Sequence, residues 1–283
     1  MKNRVNSKVF ASSSIWVWLF LLVVVPNILV LGVSFLTVDT DNFASLPFTF
    51  ENYRELLDPA VLKIFQRSFS LAAQTTVICL LTGYPFAWFL ARLSKRWRPL
   101  FLLLVIIPFW TNSLVRTYAL VALINANGLI NKLLMGMGLI TMPVQMLYTQ
   151  GAVLLGLSYT LLPFMVLPLY SSIVKLDLRL LEAGRDLGAG PVRVFFKVAL
   201  PMTMPGIISG CMLVFLPALG MFYIPDIMGG SKQALIGNFI RDQFLVTREW
   251  PVGAAASVFL TVLMGTMFVV QSLSRSKRVR RRK

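Results

Sequence analysis

Residues 181–201 read LEAGRDLGAGPVRVFFKVALP, a charged stretch set between two long apolar runs. With its flanks, from residue 174 to residue 205, it is not a polar linker. Leu176, Leu180, Leu181, Ala183, Leu187, Val192, Phe195, Phe196 and Val198 recur at helical spacing among the charges. Gly188, Gly190 and Pro191 interrupt the pattern. The spacing predicts two short amphipathic helices joined by a bend, because apolar residues three and four apart share one helix face and Gly with Pro breaks it. Such a face must be covered, either by the lipid interface or by another protein.

The apolar runs on either side of this loop belong to a set of six. A helix needs about 20 apolar residues to cross a hydrocarbon core, and windows of that kind run over residues 15–36, 69–91, 100–123, 148–173, 206–228 and 252–273. Composition agrees. Of 283 residues, 57% are hydrophobic and 13% charged, against about 25% charged in ordinary soluble domains. The expected fold class is therefore all-α, a polytopic membrane protein with six transmembrane helices. The expected organisation is a terminal segment 1–14, a membrane domain 15–273 containing the loop 174–205, and a basic tail 274–283. The first run follows Lys2, Arg4 and Lys8 but is longer than a signal-peptide core and has no clear small-residue cleavage site, so it is read as a retained helix.

The net charge of +16 would point to nucleic acid in a soluble protein, but here its sidedness carries the meaning. With six spans the termini share a side with the second and fourth loops, and that side holds 19 of the 27 Lys and Arg residues with only Asp177, Glu182 and Asp186 among the 11 acids. The other side has eight of each, so all the net charge lies on one face. The positive-inside rule then makes both termini cytoplasmic, and the cluster from residue 275 to 283 reads as a topology signal attracted to anionic membrane lipid. No nucleic-acid partner is expected. Histidine is absent, and Cys79 and Cys211 fall inside apolar runs, where free Cys acts as a small packing residue; no metal site is expected.

Within the loop, Glu182-Ala183-Gly184-Arg185-Asp186-Leu187-Gly188-Ala189, followed by Phe195, Leu200 and Pro201, resembles the EAA loop of ABC importer permeases. Gly184 departs from that pattern, which prefers Ala; the exchange lowers helix propensity by about 1 kcal/mol and keeps the position small. The resemblance implies the MetI-like permease fold and a coupling role toward a separate ATPase for Glu182, Ala183, Gly184, Arg185, Asp186, Leu187 and Gly188. No Gly-x-x-x-x-Gly-Lys-Ser/Thr motif occurs, and Gly229-Gly230-Ser231-Lys232 has the wrong spacing. The chain is expected to be a transport subunit rather than an enzyme and to bind no cofactor, ATP and Mg being held by the partner ATPase.

Polar and aromatic residues inside the spans are candidates for a transport path, since charges there are costly unless they face protein or water. Tyr223 and Asp226 lie three residues apart, so both project from one helix face at the end of the fifth span. An aromatic wall beside one carboxylate suits an organic cation, with cation–π attraction of about 0.5–2 kcal/mol. Phe222, Tyr223 and Asp226 are the first candidates for gate and passage, Trp110 and Asn112 the second, and Arg241 a possible gate charge. Trp110 and Tyr118 also fit an interfacial aromatic belt. Between residues 228 and 251, Leu235, Ile236, Phe239, Ile240 and Phe244 predict an amphipathic segment that dips against the bundle or meets an external partner. The first external loop is acidic, with Asp39, Asp41, Glu51, Glu55 and Asp58; guiding cations, docking a binding protein and plain solvation fit it equally.

Further segments widen the resemblance. Residues 83–90 (GYPFAWFL), 107–114 (IPFWTNSL), 162–165 (LPFM), 186–189 (DLGA) and 235–238 (LIGN) are similar to the permeases of spermidine/putrescine importers. That resemblance implies a polyamine substrate, a PotC-like second permease forming a heterodimer, two PotA-like ATPase subunits and a PotD-like periplasmic binding protein, in a bacterial inner membrane. Two rivals stand beside it: a permease of the same fold for another small solute, and an ion-coupled secondary carrier. The latter typically has internal repeats, and no obvious repeat is present.

Overall fold

The computed structural model describes residue 13 and residues 16–39, 44–230 and 234–280, with side chains described as far as residue 269. Lys2, Arg4 and Lys8, Asp41, the Ser231-Lys232 pair and the side chains of the basic tail lie outside the described residues. Among the described residues six helical stretches are long and apolar enough to cross a membrane: Trp16–Val33, Pro59–Arg92, Ser113–Gly136, Gln150–Val174, Pro191–Gly220 and Trp250–Val269. In chain order the helices are α1 (Trp16–Val33), α2 (Glu51–Glu55), α3 (Pro59–Arg92), α4 (Arg98–Trp110), α5 (Ser113–Ile124), α6 (Leu129–Gly136), α7 (Gln150–Val174), α8 (Leu178–Asp186), α9 (Pro191–Gly220), α10 (Ile236–Leu245) and α11 (Trp250–Arg280). Strands β1 (Leu36–Thr37) and β2 (Ser45–Phe48) pair antiparallel between α1 and α2.

The chain divides into two compact units, one holding the described residues up to Lys63 and those from Phe239 onward, the other Ile64–Asn238. In the first, the Val25–Val33 part of α1 packs on α11. Asn52 fastens α2 to the end of α1 and to β1, its amide donating to the carbonyls of Ser34 (2.9 Å) and Leu36 (2.8 Å). Gly253 sits where a Cβ would meet Phe244 and Gln243 at 3.1 Å, so the start of α11 lies close against α10.

The second unit is built around α7, whose side chains are buried along its length from Ala152 to Ile173. Lipid tails are as apolar as Leu, so close backbone approach and internal hydrogen bonds rather than hydrophobicity hold such helices together. The approach here is made by glycine. A Cβ at Gly206 of α9 would fall 2.5 Å from Ser172 Oγ and 2.7 Å from the Pro168 carbonyl; one at Gly210 would fall 2.6 Å from Met165 Sδ. These two glycines stand four apart, one turn along the face of α9 that meets α7. Tyr84 of α3 and Thr203 of α9 share a buried hydroxyl bond of 3.0 Å. Thr203 also donates to the Ala199 carbonyl (2.9 Å), which leaves Tyr84 as the donor between them. Cys79 is fully buried against the Ser158 carbonyl, in keeping with a packing role.

Three boundaries differ from the sequence reading. The third apolar run, 100–123, is broken: α4 ends in a tight turn over Ile107–Trp110, Thr111 is extended, and Asn112 starts α5 by accepting the Leu114 amide at 2.8 Å. Pro108 opens that tight turn, at a position where its missing N–H costs nothing. The second half of the 174–205 loop is not a separate short helix but the first turns of α9, which enters the membrane region without interruption and holds a wide, π-type turn at Phe195–Ala199. The fifth span stops at Gly220, where Met221 turns extended, and a new helical turn covers Pro225–Gly229.

Candidate functional site

The loop between α7 and α9 has a defined geometry. Asp177 caps α8, its carboxylate accepting the Arg179 amide at 3.0 Å, a usual N-cap arrangement. Gly188 ends α8 in the left-handed region at φ 80°. The Ala189 amide donates back to Gly184 (3.2 Å) and the Gly188 amide to Arg185 (2.8 Å), the paired bonds of a Schellman motif. Glycine is the residue that takes this φ without steric cost. Gly190, two residues on, is extended at φ −64° and needs no such freedom. At Gly184 a Cβ would rest 3.4 Å from Val194 Cγ2, ordinary contact, so the departure from alanine at this position is not forced by space.

The two faces of this loop have opposite fates. Leu181 of α8 and Val194 of α9 are buried together with Leu176 and Ala199, with Trp88, Ala189, Phe195 and Val198 packed around them. On the other face Leu187 (88% exposed), Val192 (69%) and Phe196 (59%) remain open. Glu182, Ala183, Arg185 and Asp186 are also exposed.

The buried face is tied to α3 by aromatic rings. Phe195 meets Tyr84 edge-on at 5.5 Å between centroids and Trp88 at 6.5 Å, while Tyr84 and Trp88 stack at 6.3 Å. The guanidinium of Arg92 lies 4.7 Å from the Trp88 ring centroid, within cation–π range. Arg98, at the start of α4, donates through Nη2 to the carbonyls of Ala91 (2.7 Å) and Leu93 (3.2 Å), satisfying the end of α3.

The passage candidates fall in different places. Tyr223 and Asp226 share the short helical segment beyond the break at Met221, not the long helix. Tyr223 packs against the core formed by Leu71, Ile124, Leu157, Ile224 and Met228. Asp226 is exposed, and Phe222 lies edge-on to Tyr223 at 6.2 Å. Asn238 holds this segment by donating to the Phe222 carbonyl at 3.0 Å. Trp110 is 76% exposed at the end of α4, and Asn112 is occupied as the cap of α5. Arg241 belongs to the other unit and is paired with Asp242 through Nη2 at 2.7 Å.

Residues 83–279 match the family of binding-protein-dependent transport system inner membrane components. The chain belongs to this family. The spermidine/putrescine transport system permease protein PotB of Escherichia coli is 52% identical over 89% of this chain and 92% of its own length. That of Haemophilus influenzae is 52% identical over 90% of each. The permease protein YdcU of Escherichia coli is 31% identical over 82% of this chain and 78% of its own. Among solved structures, a bacterial ABC transporter that imports the acidic polysaccharide alginate superposes with a TM-score of 0.71 at 15% identity, over 98% of this chain and 97% of that one. This permease is therefore a multi-pass transport component with the MetI-like fold, not an enzyme.

Sequence reading missed the clasp of Tyr84, Trp88, Phe195 and Thr203 in this permease. Its members lie up to 119 residues apart, beyond any periodicity. The aromatic pair at positions 84 and 88, one helical turn apart with a facing Phe-Phe step at 195–196, was the available signal.

Proposed function

We propose that the chain forms half of the transmembrane passage of an ATP-driven importer for polyamines, spermidine and putrescine. The carrying observation is the 52% identity to PotB over 89% of the chain, far above what a shared fold alone requires. In this reading α8 and the turn that ends it, from Glu182 to Gly188, form the coupling element of the complex. It seats in the separate ATPase, and the open apolar face of Leu187, Val192 and Phe196 supports a protein partner there, since such a face is unstable in water. A PotC-like permease completes the passage, two PotA-like ATPases bind ATP and Mg, and a PotD-like periplasmic protein delivers the substrate. Both termini face the cytoplasm, in line with the charge asymmetry.

Transport then proceeds by alternating access. ATP closes the ATPases, their movement passes through α8, and the permease pair opens outward to receive the polyamine; hydrolysis resets it. Phe222, Tyr223 and Asp226 contact the passing cation, one exposed carboxylate beside aromatic rings giving attraction without a deep trap. Trp110, Asn112 and Arg241 serve the gate.

The test is uptake of labelled spermidine into proteoliposomes carrying the complex, with unlabelled spermidine, putrescine, sulfate and phosphate as competitors. Spermidine and putrescine should compete and the anions should not. Competition by an anion instead would assign the permease to another solute. Asp226→Asn with Tyr223→Ala should lower uptake at least tenfold, the loss of one charge-assisted contact of about 1.5–3 kcal/mol. Normal rate and affinity in that double variant would remove these residues from the passage.

A further inference from the structure

A cavity of about 580 Å³ opens beside α8, lined by Trp88 and Arg92 of α3, Arg98 of α4, and Glu182 and Arg185 of α8. Ile173, Leu176 and Leu181 are among the lining side chains. Three guanidinium groups face one carboxylate, so the lining carries an excess of two positive charges. Arg92 is held over the Trp88 ring. Arg98 has both bonds of its Nη2 spent on the end of α3, and among the described residues its buried Nε–H has no hydrogen-bond partner. A guanidinium keeps its full charge while some of its hydrogens are bonded, so Arg98 still adds to the positive potential of the lining.

The place is as telling as the charges. The cavity lies where α3 and α7 end, at the basic end of two membrane spans, and its lining mixes charged and apolar side chains. Basic pockets between spans at that level suit phosphate head groups, and a planar guanidinium matches phosphate oxygens two at a time.

We propose that this cavity binds a phosphate-bearing anion, held by Arg92, Arg98 and Arg185 beside the helix that meets the ATPase. The phosphodiester of an anionic phospholipid and free phosphate share this chemistry, and the apolar side chains of the lining would additionally receive acyl chain. An occupant would lie against α8 and α3 together, so its presence would stiffen the connection between them. The site requires nothing of the transported solute.

The full transporter complex in neutral detergent, titrated at constant ionic strength and followed by thermal midpoint and native mass spectrometry, provides the test. Dihexanoyl phosphatidylglycerol, dihexanoyl phosphatidylcholine and inorganic phosphate are the three probes. Saturable stabilisation by phosphatidylglycerol, weaker by phosphatidylcholine, is expected. Arg92→Gln should weaken it about fivefold, the scale of one basic residue near a lipid surface, while Lys95→Gln, on the same loop but outside the cavity lining, should leave it unchanged. Arg98→Gln would also uncap α3, so Arg92 carries the test. Inorganic phosphate matching the lipid would keep the site and make its source soluble; phosphatidylglycerol alone would make it lipid. Equal weakening by Arg92→Gln and Lys95→Gln, or no saturable binding of either anion to the complex, would overturn the proposal.

Discussion

Gly188 and Gly190 form a natural controlled experiment on coupling. They stand two residues apart, and a Cβ at either would meet nothing within 4 Å among the described residues. Their backbones differ: Gly188 has φ 80°, Gly190 φ −64°. Alanine at both positions therefore adds the same methyl group to open space, and only position 188 pays the left-handed cost of about 1–2 kcal/mol. Relief of that strain requires giving up the Schellman pair, Ala189 to Gly184 and Gly188 to Arg185, and with it the angle between α8 and α9. If transport needs α8 in its present orientation, 1–2 kcal/mol removes about five- to thirtyfold of the competent population. At Gly190, the cap position of α9, alanine costs about 0.5–1 kcal/mol as a poorer cap than glycine, a cost that falls on the first turn of α9 and leaves the Schellman pair intact. The assay is ATP-dependent spermidine uptake with parallel ATP hydrolysis in proteoliposomes, expressed as molecules transported per ATP. Gly188→Ala should lower that ratio within the stated range and Gly190→Ala should leave it within twofold. Full coupling in Gly188→Ala, or a larger loss in Gly190→Ala, would refute the link between the left-handed turn and force transmission.

Other expectations follow from single contacts. Gly184→Ala should stabilise α8 by about 0.5–1 kcal/mol, since its Cβ would reach only ordinary contact with Val194; a raised thermal midpoint with unchanged uptake checks it, and a lowered midpoint counts against the geometry. Gly206→Val should destabilise the protein by about 1–3 kcal/mol, because the new Cβ would press on the backbone carbonyl of Pro168, which cannot swing aside; denaturation in mixed micelles gives the number. Burial, with the Glu249 and Asp58 carboxylates nearby, raises the Glu55 carboxyl above its usual range. The folded state then holds this proton more tightly than the unfolded one, so the Glu55 contribution favours folding at low pH and fades as pH rises from about 4.5 through the raised value. Glu55→Gln should flatten that part of the stability profile and leave the chain no less stable at pH 7.

What could be read from sequence was whatever composition and short-range spacing carry. The apolar runs located the spans, Gly188 marked the end of α8, and the pattern around Leu181 announced a half-buried helix. The break between α4 and α5 escaped because Ile106, Ile107, Pro108, Phe109 and Trp110 continue the apolar run while the backbone leaves the helix at Thr111. Hydropathy does not register a change of ψ. The start of α9 escaped for a related reason: Gly190-Pro191 reads as a breaker, yet Pro at the first helical position also starts helices. The segment from Tyr223 to Asp226 kept its helical spacing, but on a separate turn, since Met221 is extended. Arg92 and Arg98 were legible only as positive charge; that they line one cavity depends on where α3 and α7 end and α4 and α8 begin.

In the proposed coupling role, the clasp would carry movement of one short helix into the packed helices of its own unit. Phe195 stands seven residues beyond Gly188 in sequence and lies edge-on against both Tyr84 and Trp88 of α3, while Tyr84 is bonded onward to Thr203 of α9. A push on α8 therefore reaches α9 through the backbone and α3 through the rings, and Gly206 and Gly210 key α9 to α7 over two successive turns. Around that block the backbone leaves helical geometry at Thr111, at residues 125–128 and at Met221. Rigid rods joined at such breaks concentrate movement there, and discontinuous helices also free backbone groups where a substrate can pass. Trp110 and Asn112 flank the first break, and Phe222, Tyr223 and Asp226 follow the last. If α8 is the coupling helix as proposed, Trp110, Asn112, Phe222, Tyr223 and Asp226 stand beside the backbone breaks of the unit into which its movement would pass.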